Sequence, residues 1–154
     1  MEVRPVEDPE ARAGYCRALT ARLPDWFAIP EANAHYADAI TRRETLGAFD
    51  EAGACLGLIA LKPHFGRALE IWWLAVDPDW HGRGVGTALV AAACAVARRD
   101  GMEEMIVMTV GPECDDPGYA ATRAFYEARG FLPLVAMDHA PDDDPLIWMI
   151  RRLA

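Results

Sequence analysis

From Trp72 to Leu89 an apolar run meets a proline break, then three glycines at alternate positions, then an amphipathic helical repeat. No other stretch constrains the fold as much. A strongly apolar strand that leads into an amphipathic helix belongs to a sheet with helices on its faces. Gly82, Gly84 and Gly86 let the backbone beyond the strand approach a ligand closely. The helix that follows, Gly84 to Arg99, carries Val85, Leu89, Ala92 and Val96 on one stripe. Successive N–H groups and the positive end of the helix dipole make such a loop an anion site.

Two well-known phosphate loops fail on spacing. A Walker A loop needs GxxxxGK[ST], and no Lys precedes Thr87. A dinucleotide fingerprint needs GxGxxG in an opening βαβ unit, whereas this run is GxGxG in mid-chain. The charge balance narrows the partners further. There are 15 Lys and Arg against 24 Asp and Glu, a net charge of −9. That sign disfavours nucleic acid, which requires a basic footprint, and anionic membrane surfaces. A polyanion must then be held locally, by loop amides, the helix dipole and Arg83. A cationic acceptor suits the same surface.

With 154 residues, 53% hydrophobic and 25% charged, the chain is expected to form one globular domain over residues 1–154. No stretch approaches the roughly 18 apolar residues of a membrane span, and Met1 to Pro5 lacks an export-signal core. A cytoplasmic location is the expectation. Cys16, Cys55, Cys94 and Cys114 form no CxxC and the four histidines are dispersed, so no metal is expected. Cys94 reads as a small buried hydrophobe.

Punctuation residues divide the chain into elements. Glu2 to Val6 reads as a strand. Asp8 caps a helix that begins at Pro9 and ends before Pro24. An aromatic connector, Pro24 to Pro30, leads to a second helix from Glu31 to Thr41. Thr45 to Asp50 and Ala54 to Leu61 read as a hairpin about Glu51-Ala52-Gly53. Pro63 to Gly66 is a turn, and Ala68 to Val76 is the long apolar strand. After the Gly84 to Arg99 helix come a strand from Met105 to Val110, a helix from Tyr119 to Arg129, and strands from Phe131 to Met137 and Leu146 to Ile150. The order is β-α-α-β-β-β-α-β-α-β-β, a mixed sheet with helices on its faces.

Val76-Asp77-Pro78-Asp79-Trp80-His81-Gly82-Arg83-Gly84-Val85-Gly86-Thr87-Ala88-Leu89 resembles the pyrophosphate motif V-x-P-x-x-[QR]-G-x-G-x-[GA] of the GNAT superfamily of acyl-CoA N-acyltransferases. Ala124-Phe125-Tyr126-Glu127-Ala128-Arg129-Gly130-Phe131 resembles that family's later F-Y-x-x-x-G-F block. His81 stands where the family usually has Gln or Arg, and Tyr119 where many members have Asn. The resemblance implies an α+β or α/β GNAT fold in a single domain. Its sheet is mixed, mostly antiparallel and six- to seven-stranded, with helices on both faces. It also implies acetyl-CoA or a related acyl-CoA as co-substrate and direct transfer to an amine. The acceptor is expected to be a small molecule, and the fold is compatible with a homodimer.

The resemblance also implies roles. His81, Gly82, Arg83, Gly84, Val85, Gly86 and Thr87 would hold the pyrophosphate. The backbone of Leu74, Ala75 and Val76 would bind the pantetheine and polarise the thioester. Tyr119, Thr122 and Phe125 would line the cofactor, and Tyr126 would act as the acid. Helical spacing places Tyr119, Thr122 and Tyr126 on one face, with Phe125 packing inward. Only about one alkylammonium in 2,500 is neutral at pH 7, so a base is needed. Glu70 is the candidate, sharing a strand face with Trp72, Leu74 and Val76. It could equally be an edge carboxylate paired with Lys62 or Arg67. His64 and His139 are alternatives, each read as a loop residue. Trp26, Phe27 and Trp72 are candidates for an acceptor wall, and the acidic loop Asp138 to Asp144 for recruiting a cation. The competing functions are a non-catalytic acyl-CoA sensor, a protein or peptide acetyltransferase, and an unrelated nucleotide-binding module.

Overall fold

A computed structural model describes residues 1–154. The strands are β1 (Glu2–Pro5), β2 (Glu44–Phe49), β3 (Cys55–His64), β4 (Ala68–Val76), β5 (Glu104–Val110), β6 (Leu132–Ala136) and β7 (Leu146–Arg152). The helices are α1 (Pro9–Ala21), α2 (Pro30–Ala39), α3 (Val85–Arg99) and α4 (Pro117–Ala128), and 3₁₀ turns occupy Ile40–Arg42 and Pro78–Trp80. The expected element order holds throughout. The hydrogen-bonded sheet has seven strands in the order β1-β2-β3-β4-β5-β7-β6. β4 and β5 pair in parallel, while the β1–β2, β2–β3, β5–β7 and β6–β7 pairs are antiparallel. No helix is long and apolar enough to cross a membrane.

Three helices start on a proline at the first turn, where its missing N–H costs nothing. Asp8 caps α1 by accepting from the Glu10 amide at 3.2 Å, and Asp116 caps α4 by accepting from the Gly118 amide at 2.7 Å. α4 therefore begins two residues before the expected Tyr119. Gly101 (φ 72°) and Gly130 (φ 90°) stop α3 and α4 in the left-handed conformation. β3 runs on through Pro63 to His64 instead of ending at Leu61, so His64 is a strand residue and not a loop residue.

By density of contacts the chain forms two compact units. The first comprises Met1–Lys62 and Trp72–Val96. Its core joins Leu58, Ala60, Trp73 and Ala75 to Cys16 and Leu19 of α1, Ala37 of α2, and Ile40. The alternate face of β3 meets α3. A methyl group at Gly57 would stand 3.0 Å from both Leu89 Cδ1 and Val85 Cγ1, and 3.1 Å from the Ala75 carbonyl oxygen. A side chain there would require Leu89, Val85 or the Ala75 backbone to give by a few tenths of an ångström.

The second unit comprises Pro63–Ile71 and Ala97–Ala154. Pairing runs Ala68↔Glu104 to Ile71↔Val107 in β4–β5, and Glu104↔Arg152 to Val110↔Leu146 in β5–β7. One face is core: Met105, Val107, Ile147 and Met149 are buried, with Tyr126 and the fully enclosed Phe131. On the other face Ile106, Trp148 and Ile150 are only half-buried and Met108 is exposed. β6 is an edge strand exposed at every position.

Candidate functional site

The loop after β4 leaves its backbone open to close approach. Asp77 starts it: its amide donates to the Leu56 carbonyl at 2.8 Å, and its carboxylate caps the 3₁₀ turn through the Asp79 amide at 2.9 Å. Gly82 and Gly84 follow with φ of 72° and 86°, a region costly for side chains with a Cβ. A Cβ at either would meet nothing within 4 Å. Packing therefore does not demand these glycines; they shape the backbone and keep the space above it empty. Val85 and Gly86 then enter the first turn of α3, and the Ala88 amide bonds back to the Gly84 carbonyl at 3.0 Å. The exposed Arg83 guanidinium lies 4.0 Å above the Trp80 ring, a cation–π contact that orients it and leaves its N–H edge available.

His81 does more than supply backbone. Its Nε2 donates to the Val76 carbonyl at 2.8 Å, closing the loop onto the end of β4. Its ring meets Trp26 edge-on at 6.1 Å between centroids. Arg22, just beyond α1, donates to Asp77 at 2.7 Å and to Asp79 at 3.1 Å. Two contacts thus tie the chain around Arg22 to Trp26 to the loop. The fork on Arg22 was not legible in the sequence, because 55 residues separate Arg22 from Asp77.

Glu70 is buried, at 8% exposure, and its Oε1 lies 2.7 Å from Nε2 of His64. The expected partners Lys62 and Arg67 do not take this role; Arg67 pairs with Glu103 and Glu104 instead. An imidazole that donates Nε2–H to a carboxylate keeps a lone pair on Nδ1, and the contact suits that arrangement. The imidazole is partly open to solvent. His139 lies elsewhere: its Nδ1 meets the Ala140 carbonyl at 2.9 Å and its Nε2 meets Glu113 at 3.2 Å. Those two acceptors, the carbonyl first, raise its pKa.

On α4 the expected facing is corrected. Tyr126 is the buried residue, and Phe125 is half-buried beneath the Arg129 guanidinium, 3.9 Å from its ring centroid. Tyr126 packs edge-on against Phe125 and Phe131, which fixes its ring. Burial pushes its hydroxyl pKa up, so the hydroxyl stays protonated. Thr122 donates to the Gly118 carbonyl at 3.1 Å, and Tyr119 lies in the capped first turn of the helix.

The aromatic candidates divide. Phe27 packs against Trp73 at 5.5 Å and against Tyr36 at 6.2 Å, so it belongs to the rim of the core. Trp72 meets Tyr36 edge-on and lies 5.2 Å from the Arg43 guanidinium. Trp26 is exposed. Beside them Asn33 Oδ1, Arg43 Nε and Trp73 Nε1 are buried without a partner, the kind of orphan a ligand or water satisfies.

The comparisons with known proteins agree on one family. A family model described as "Acetyltransferase (GNAT) family" matches residues 10–131. A mycothiol acetyltransferase of Beutenbergia cavernae is 36% identical over 85 residues, covering 55% of this chain and 27% of that protein, so the match spans about a quarter of the relative's length. A Desulfovibrio desulfuricans structure provisionally assigned as a GNAT acetyltransferase superposes with a TM-score of 0.82 at 22% identity, covering 99% of each chain. An aminoglycoside 6'-N-acetyltransferase in complex with coenzyme A superposes with a TM-score of 0.76 at 16% identity, covering 99% of this chain and 97% of that one.

Proposed function

The chain belongs to the acetyltransferase (GNAT) family, and from that membership we propose that it transfers an acetyl or related acyl group from acyl-CoA to a primary amine of a small molecule. The observation that carries this reading is the pair of left-handed glycines with open space above them, feeding straight into α3 beside an unpaired, stacked Arg83. Such a cradle suits a pyrophosphate, whose charge is met by amides, the helix dipole and one guanidinium. It also explains how a chain of net charge −9 holds a polyanion.

In this reading the amine nitrogen attacks the thioester carbonyl; a C–N bond forms and the C–S bond breaks. Backbone N–H groups in Leu74 to Val76 stabilise the carbonyl oxygen as charge develops. Tyr126 donates a hydrogen bond to the departing sulfur. Full proton transfer is unfavourable, because a free phenol is already about 1.5 pKa units weaker an acid than a thiol, roughly 2 kcal/mol, and burial widens the gap. The amine proton goes to His64. A free imidazole binds a proton about 2 units more tightly than a free carboxylate, a gain of about 3 kcal/mol for proton removal. Glu70 holds the ammonium before transfer and accepts a hydrogen bond from the imidazole after it.

The test is thiol release from acetyl-CoA against amines, amino acids and peptides, with acetyl-CoA affinity measured in parallel. The wild type should release thiol with at least one amine class. Gly84→Asp should abolish acetyl-CoA binding, since it adds a β-carbon at positive φ and a negative charge in the cradle. Unchanged affinity in that variant would refute the loop assignment. Tight acetyl-CoA binding with no thiol release would identify a sensor on the same fold.

A further inference from the structure

Opposite residues in paired strands project to the same face of a sheet. Glu70 is registered with Ile106, Ile106 with Ile150, and Ile150 with Leu132. Two residues further along, Met108 is registered with Trp148, and Trp148 with Val135. The buried Glu70–His64 pair thus stands on the same face, and within the same unit, as two adjoining apolar rows. Those rows are open: Met108 is 42%, Leu132 67% and Val135 50% exposed. They leave large apolar side chains open to solvent on one face of the strands.

We propose that this face is the acceptor platform, and that the acceptor is a primary amine carrying an aryl or alkyl body instead of a polyhydroxylated one. The proposal rests on the reading of Glu70 and His64 as the groups that receive the amine. Its nitrogen sits at Glu70 and its body extends across Met108 towards Trp148. Strand spacing and rise place those two residues about 8 to 12 Å from Glu70, the reach of a phenylalkyl or medium-chain alkyl group. Hydroxyl groups laid over these side chains would lose their water without gaining partners, which disfavours sugars.

The experiment compares kcat/KM, with acetyl-CoA saturating, for 2-phenylethylamine, hexylamine, ethanolamine and glucosamine. The wild type should favour the first two over the last two by at least about tenfold, the scale on which an apolar pocket discriminates. Met108→Ser and Met108→Asn change an exposed side chain and should fold, checked by thermal melting. Each should cut the phenylethylamine-to-ethanolamine ratio several-fold, mainly through KM for the amine. A preference for glucosamine, or variants that leave the ratio unaltered, would overturn the platform while leaving the acetyltransferase reading intact. Thiol release with no amine at all would overturn both. A dimer by sedimentation together with a flat amine profile would assign this face to a second copy of the chain and end the proposal.

Discussion

At the residue scale the proposed chemistry turns on His64, whose contact with Glu70 is hidden in the sequence by its neighbour Pro63. A proline before a Phe-Gly pair reads as a turn, yet β3 continues through it and delivers the imidazole to Glu70. Glu70 was singled out in the sequence as an acid in an apolar strand, but its partner was not, because the turn expected at Pro63 hid His64. His64→Gln should lower kcat/KM about a hundred- to ten-thousandfold at neutral pH, the usual weight of a general base. Glu70→Gln should depress activity most at low pH, where the amine is hardest to deprotonate. Added imidazole should restore part of the His64→Gln loss but none of the Glu70→Gln loss. Coincident pH–rate profiles for wild type and His64→Gln would remove the imidazole from the proton path. The α4 facing failed for a different reason. Phe125 and Tyr126 are adjacent aromatics about 100° apart around the helix, and pattern alone cannot tell which turns inward. Arg129, one turn on, settles it by covering Phe125 from outside.

At the element scale the connections carry most of the sequence-readable signal. Asp8-Pro9, Gly101 and Gly130 mark helix ends where backbone chemistry requires them, so these boundaries were legible. Asp116-Pro117-Gly118 was read as loop because its three residue types also build turns, although together they start α4. The loop from β6 to β7 shows what pattern cannot reveal. His139 clasps it to Glu113, 26 residues away. Because the pKa of His139 is raised by the Ala140 carbonyl and then by Glu113, the clasp is complete below the ordinary imidazole range. It is lost as pH rises through the raised value. Amide hydrogen exchange over residues 138–144, corrected for intrinsic rates, should therefore quicken from pH 6 to pH 9, and His139→Asn should remove the pH dependence. Equal protection at both pH values would contradict the clasp.

At the scale of the whole molecule the buried acids set an alkaline limit. Burial pushes the Cys16 thiol up to about 12 and the Cys55 thiol up to about 11, against an unfolded value near 9. A raised pKa means that the folded state holds its proton longer than the unfolded state does. The stabilisation is therefore whole below about pH 9 and is lost as pH rises towards 11 and 12. Buried Tyr126 acts in the same direction above the ordinary phenol range. The melting temperature should fall steadily above pH 9, and Cys16→Ala with Cys55→Ala should flatten that fall even if it lowers stability at pH 7. A slope unchanged in the double variant would place the alkaline sensitivity elsewhere. Both thiols should also resist alkylation at neutral pH.

The two contact units exchange the chain at Lys62–Pro63, Ile71–Trp72 and Val96–Ala97, inside β3, β4 and α3. A cut at any of these points severs a strand or a helix instead of a linker. Shortened genes that end at a unit boundary should yield insoluble fragments, and a protease should find no preferred site there. Anyone wishing to split this protein into two pieces that reassemble, as a reporter of proximity for example, would do better to open it in the turn at Glu51 to Gly53, where a left-handed glycine caps an exposed bend and no element is broken.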